Sequence, residues 1–204
     1  MRSDAIADVR PSPIAGMWYP GNPIRLRESV SRLLDASKAP PVSGEIIGLI
    51  APHAGHVYSG PVAAGAFSIV QGMAFDRVVV VCPLHQPQSF APVLTSGHHA
   101  YETPLGVIPV DRDALNRLEE HMPLRPIRFD GEHALEIELP FLQVALDGPF
   151  TLLPLMLREQ TLPLAAELAE ALVKALAGDG KRTLYIASSD LSHFYTQQQA
   201  AVFD

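Results

Sequence analysis

The chain is short of the groups that usually tie a protein to itself or to a charged partner. A single cysteine, Cys82, among 204 residues excludes an internal disulfide. Lysine is scarce as well. Lys38, Lys174 and Lys181 are the only three, the other 12 cations being arginine. With a net charge of −7 and no basic stripe, nucleic acid is not an expected partner. No apolar run approaches the ~20 residues of a membrane span; Val78 to Leu84 is typical of the longest. The N-terminal MRSDAIADVRPSP lacks the apolar core of a signal peptide, so a soluble, cytoplasmic protein is expected, with no membrane partner. Against these absences stands a hydrophobic fraction of 48%, far above that of a disordered segment. The 19 prolines and 14 glycines fall at element boundaries, where they read as rigid loops.

Strand-like and helix-like runs alternate. Ile46–Ala51 and Arg77–Cys82 are short apolar runs rich in β-branched residues, as central parallel strands are. Between them, residues 60–72 carry a proline near the start and a glycine at the end, which are helix start and stop signals. Phe90–Thr95 and Val107–Val110 are expected to be strands that pair as an antiparallel or edge excursion. Asp111 can cap a helix over Asp113–His121, and Glu132–Leu146 is amphipathic but interrupted by Pro140, hence kinked or in two pieces. Phe150–Leu157 and Arg182–Ala187 complete the strand set. Between those two, Thr161 caps a helix in which Leu164, Leu168, Leu172 and Leu176 recur every four residues, ending at Gly178. The expectation is one three-layer α/β/α domain, residues 1–204, with a mainly parallel sheet. The chain stops at Asp204 inside what reads as a helix just begun, so a C-terminal part is expected to be missing.

In such a sheet, ligands bind beyond the carboxyl ends of the strands. Three of those junctions deliver a histidine: Pro52-His53-Ala54-Gly55-His56 followed by Tyr58, then Pro83-Leu84-His85, then Ser188-Ser189-Asp190-Leu191-Ser192-His193. Imidazoles from separate strand ends with a carboxylate nearby suit a divalent transition metal. Each also has a plainer reading, as a loop residue bonded to its neighbours. His53 and His85 are the candidate metal ligands. His56 is separated from His53 by a glycine turn, which favours a supporting or substrate-facing role, shared with Tyr58. Asp190 and His193, three apart, can share the face of a helical first turn with Ser188 and Ser189 as donors; Asp190 fits a plain helix cap equally well, and His193 is the candidate general base. Glu132, His133 and Glu136 form a further cluster on a helical segment beside the pocket, where His133 and Glu136 can meet on one face, or all three lie on a solvated surface. Cys82 ends a buried strand, where a thiol is inert packing. Neither Ser59 nor Ser96 sits in a nucleophile elbow, which argues against a serine hydrolase.

Several blocks together resemble the Memo family, whose bacterial and archaeal members are called AmmeMemoRadiSam system protein B. They are Ala15-Gly16-Met17-Trp18-Tyr19-Pro20, Ala51-Pro52-His53-Ala54-Gly55 running into Tyr58-Ser59-Gly60-Pro61, Thr103-Pro104-Leu105-Gly106, Glu132-His133 through Glu138-Leu139-Pro140-Phe141-Leu142, and Ser188-Ser189-Asp190-Leu191-Ser192-His193. The resemblance implies the fold of class III extradiol ring-cleavage dioxygenases, and a pocket of two His and a Cys, with an Asp and another His beside them, that takes iron or copper. It maps the two ligands to His53 and His85, and the flanking pair to Asp190 and His193. The family usually has Gly-Pro-Ser-His where this chain reads Cys82-Pro83-Leu84-His85. Its pocket cysteine lies in a later region than this chain reaches, so that third ligand is absent.

The leading expectation is therefore a Memo-like metal-binding protein, with iron- or copper-dependent redox chemistry in a dioxygenase-like pocket. The alternative is a non-catalytic adaptor with a vestigial pocket that recognises a phosphopeptide or a partner protein. A strict ring-cleaving dioxygenase would need Glu136 or Asp190 as the carboxylate ligand. The resemblance implies AMMECR1-type and radical SAM proteins as pathway partners. A chain of this length is also expected to expose an apolar sheet edge that an oligomer would cover.

Overall fold

The computed structural model describes residues 6–86, 91–129 and 131–204. In chain order the elements are β1 (Val9–Arg10), α1 (Pro23–Ala36), β2 (Gly48–Ala51), α2 (His56–Phe67), β3 (Arg77–Pro83), β4 (Val93–Ser96), β5 (Ala100–Thr103), β6 (Gly106–Pro109), α3 (Arg112–Glu119), β7 (Arg125–Ile127), α4 (His133–Glu136), α5 (Leu139–Ala145), β8 (Thr151–Leu157), α6 (Leu162–Leu176), β9 (Thr183–Ser188) and α7 (Gln197–Phe203). Six strands form the main sheet in the order β2-β9-β3-β8-β4-β7. The first four run parallel; β4 is antiparallel to β8 and parallel to β7. Helices pack on this sheet as a three-layer α/β/α fold. Val78, Val79 and Val80 of β3 and Leu152, Leu153 and Leu155 of β8 are fully buried. At roughly 1.5–3 kcal/mol for each such side chain, these two strands are the main apolar anchor.

Local chemistry sets the element ends. Asp111 caps α3 through the Ala114 amide, and Thr161 caps α6 through that of Leu164. Leu168 and Leu172 carry the buried face of α6, with Ala171 and Ala175 letting it lie close to its neighbours. The Glu132–Leu146 stretch is two helices, α4 and α5, broken at Ile137–Glu138 with Pro140 in the first turn of the second.

Four expectations need correction. The strand read at Ile46–Ala51 is the edge strand β2, and Ile47 and Ile50 are 68% and 73% exposed. Its apolar run therefore does not mark a central position. The helix expected over residues 60–72 begins earlier, at His56, and encloses Pro61. The two strands expected to pair with one another do not. The first, whose Phe90 lies outside the described residues, is β4 of the main sheet; β6 pairs with β5 in a separate sheet, β1-β5-β6. Finally, Asp190 and His193 do not share a helical turn. The next helix starts only at Gln197, capped by Thr196.

Candidate functional site

Parallel strands end at one edge of the sheet, and the chain leaving them there must turn, so side chains from distant positions converge. His53 follows β2, His85 follows β3 and Asp190 follows β9, each by two residues. From the far side comes His133, the first residue of α4. His53, His85 and His133 each offer a ring nitrogen, and these nitrogens all lie within 4.8 Å of one another. The rings of His85 and His133 are stacked at 4.5 Å, and that of His53 stands edge-on to both. Among the described residues this group is able to hold a metal ion. Two of its members were the sequence-derived ligands; the third had been assigned a supporting role.

A single carboxylate organises two of the three rings. Glu132 is buried at the N-terminus of α4, where its Oε1 accepts the amides of His133 and Ala134, both at 2.9 Å. The same oxygen lies 2.9 Å from His85 Nδ1 and 3.4 Å from His133 Nδ1, while Oε2 accepts the His85 amide at 2.6 Å. Burial works against ionisation of Glu132, yet the amides of Ala134 and His85 and the His85 ring outweigh it and hold the carboxyl below its usual range. An ionised Glu132 only accepts, so the proton of this contact sits on His85 Nδ1, and Nε2 is the nitrogen left for other partners. Arg10 of β1 fastens α4 from behind, donating to the Glu132 carbonyl at 2.9 Å and to Glu136 Oε2 at 2.7 Å.

His53 is held from below and from the side. Its Nδ1 lies 3.0 Å from Ser188 Oγ, its amide donates to Asp190 Oδ1 at 2.7 Å, and its Nε2 is 3.8 Å from Asp190 Oδ2. Burial lowers the pKa of His53, against the pull of Asp190, and His85 adds to the lowering. Burial likewise lowers that of His133, opposed by Glu132. Both imidazoles are thus biased to the neutral form that binds metals.

The remaining expected residues divide. Tyr58, Asp190 and His193 line a cavity of about 600 Å³ together with His85 and His133, and Trp18 and Phe194 supply aromatic walls. The Trp18 ring lies 4.2 Å from that of His133. Phe194 takes a left-handed backbone, φ 64, which costs a side-chain-bearing residue roughly 1–2 kcal/mol. His193 is exposed, its Nδ1 2.9 Å from the Leu191 carbonyl. Ser189 is exposed with its hydroxyl on the Asp190 carbonyl, and Ser188 is buried in β9. Two residues do not face the cavity. His56 is buried, with Nε2 on the Ile137 carbonyl and its ring against Tyr19 and Phe141. Glu136 does not pair with His133; it is fully buried under the N-terminal segment, where it accepts from Arg10, Ser12 and Tyr19. That placement removes Glu136 as a carboxylate ligand. Cys82 is buried in β3 and is not part of the trio.

Strand-end logic missed Glu132, Arg10 and Trp18 because none follows a strand of the main parallel set. The one available signal was Glu132 directly before a histidine and three residues before Leu135, as an N-cap would stand.

The chain matches proteins of known family. A family model described as Memo-like protein matches residues 10–203. A MEMO1 family protein of Pyrobaculum aerophilum is 35% identical over 196 residues, covering 91% of this chain and 69% of its own. One from Thermotoga sp. is 35% identical, covering 91% and 70%, and one from Methanococcoides burtonii 32% identical, covering 96% and 72%. The chain belongs to the Memo-like family.

Proposed function

We propose that this protein is a metal-binding member of its family, holding a divalent first-row ion, iron or copper, on His53, His85 and His133 for redox chemistry on a small molecule in the adjoining cavity. The observation that carries this reading is the convergence of three ring nitrogens within 4.8 Å. The donor chemistry fits. Imidazole nitrogen suits iron, copper and zinc alike, and Glu132 and Ser188 occupy the Nδ1 side of His85 and His53. Such an ion, when bound, supplies open coordination positions and electron transfer at the cavity floor. The chain's own residues do the rest. Glu132 fixes the rings of His85 and His133; Asp190 holds the His53 backbone and adds negative charge beside the trio. Trp18 and Phe194 keep water from one side of a bound molecule, and His193 exchanges a proton with it. Any carboxylate donor to the ion is Asp190, since Glu136 is elsewhere.

The phosphopeptide-adaptor alternative draws less support here, because among the described residues neither arginine nor lysine lines the cavity. The test is elemental analysis of the purified chain beside His53→Ala, His85→Ala and His133→Ala, with His98→Ala as control, since His98 pairs with Asp8 outside the trio. Metal content is expected to drop in the first three and to hold in the control. Unchanged content in all three would overturn the assignment.

A further inference from the structure

Ser188 Oγ, at the end of β9, has three close polar neighbours: the Ala134 carbonyl at 2.6 Å, Glu138 Oε1 at 2.8 Å and His53 Nδ1 at 3.0 Å. A hydroxyl has one proton to give and two lone pairs to receive with. A carbonyl only accepts, and Ala134 is the nearest, so the serine proton goes there. The two lone pairs then face Glu138 and His53, and both of those must donate. Glu138 is completely buried, and its Oε2 has no hydrogen-bond partner among the described residues. A carboxylate with one bare oxygen at that depth is costly, whereas a neutral acid whose O–H reaches Ser188 is not. Burial raises Glu138 well above the ordinary carboxylate range, Ser188 opposes the rise, and the charge of Asp190 adds to it.

We propose that Glu138 is a positioning residue which, as a protonated acid acting through Ser188, fixes His53 as the Nδ1–H tautomer and leaves the Nε2 lone pair facing His85 and His133. The relay works against a competitor. Asp190 Oδ2 lies 3.8 Å from Nε2 and, alone, would draw the proton to that nitrogen. His85 is set by an ionised acid touching its ring, and His53 by a neutral acid one hydroxyl away; the outcome at each Nδ1 is the same. This inference gives a new role to a residue of the proposed site and rests on that reading only for its effect on metal.

The experiment reads the tautomer directly, by imidazole ¹⁵N shifts of His53 in metal-stripped protein near neutral pH, and separately reads Co²⁺ affinity by titration. The wild type and Glu138→Gln, whose amide N–H can replace the acid O–H, are expected to show Nδ1–H. Glu138→Leu and Ser188→Ala are expected to lose that bias and to bind Co²⁺ roughly 10–100-fold more weakly. Ser188→Ala carries the readout if the leucine variant does not fold. An Nε2–H wild type, an unchanged tautomer in Ser188→Ala, or a loss in Glu138→Gln as large as in the deletion variants would overturn the proposal. Absence of Co²⁺ binding by the wild type would sink the metal reading while the tautomer result still decides this one.

Discussion

The two edges of the main sheet carry polar clusters built on opposite terms. At the amino ends of the strands, Arg77 opens β3 and is fully buried, donating to Asp111 Oδ2 at 2.8 Å and Asp179 Oδ2 at 2.6 Å. Lys181 reaches Asp111 at 2.9 Å and Arg117 reaches Asp179 at 3.0 Å. Every charge there has an opposite partner, and Asp111 also caps α3. At the carboxyl ends, three imidazoles face one another, and two of them, His85 and His133, line a cavity with no arginine or lysine in its lining among the described residues. The first cluster is saturated and has nothing left to bind. The second has its outer nitrogens engaged and its inner ones turned toward each other, which is how a ligand set differs from a structural network.

The sharpest way to break the contrast is Arg77→Leu. Removing the buried guanidinium leaves Asp111 only the partly exposed Lys181 and Asp179 only the partly exposed Arg117 as cationic partners, and a loss of about 3–5 kcal/mol is expected by urea denaturation, with metal content per folded chain unchanged. A comparable metal loss would mean that the two edges are coupled.

A smaller effect separates the edges by pH. Burial lowers the His56 pKa to about 4, partly offset by the Ile137 carbonyl. In the unfolded chain His56 titrates near 6.5, so between there and about 4 the unfolded state binds a proton that the folded state does not. Stability is therefore lost as pH falls through that window, by up to about 3 kcal/mol. The amino edge responds lower down. Burial raises Asp111, but Lys181, the Ala114 amide and Arg77 more than reverse it, so its pKa ends well below the ordinary value. Its contribution is present above about 3.9 and fades as pH falls toward the folded pKa. Chemical denaturation against pH, with His56→Leu beside the wild type, should show the upper window flattened and the lower one retained.

The smallest of the three effects concerns the carboxyl edge itself. Glu132→Ala is expected to weaken metal binding about 10–100-fold and to cost about 1 kcal/mol through the lost α4 cap. Isothermal titration and thermal unfolding read the two parts. Unchanged affinity would show that His85 is oriented without its carboxylate.

What was legible in the sequence follows the same division. Short apolar runs located β3, β8 and β9, and the four-residue leucine spacing with Thr161 located α6, because those patterns depend on burial alone. His53 and His85 were legible because they follow strands directly. His133 was undervalued because it reaches the trio from a helix start across the sheet edge, a position set by tertiary docking through Arg10 and Glu136. His56 and Glu136 were overvalued for the converse reason. Each stands beside a site residue in sequence, but α2 and α4 turn them into the core, on Phe141 and on Arg10. The strand β6 was legible as Val107–Val110, whereas β1 and β5 were not, since β1 is two residues long and pairs with β5 across a distant stretch of chain.

Glu132 serves a helix and an imidazole with the same two oxygens. The first turn of α4 and the orientation of His85 must then form together and fray together. On the proposed metal reading, capture would be a late event of folding, since no oriented His85 exists until α4 has docked against the end of β3. In the folded protein the same bond would make α4 the point of metal escape. An opening confined to that one turn, seen as amide exchange at His133 and Ala134, would release the ion while the sheet beneath stayed intact.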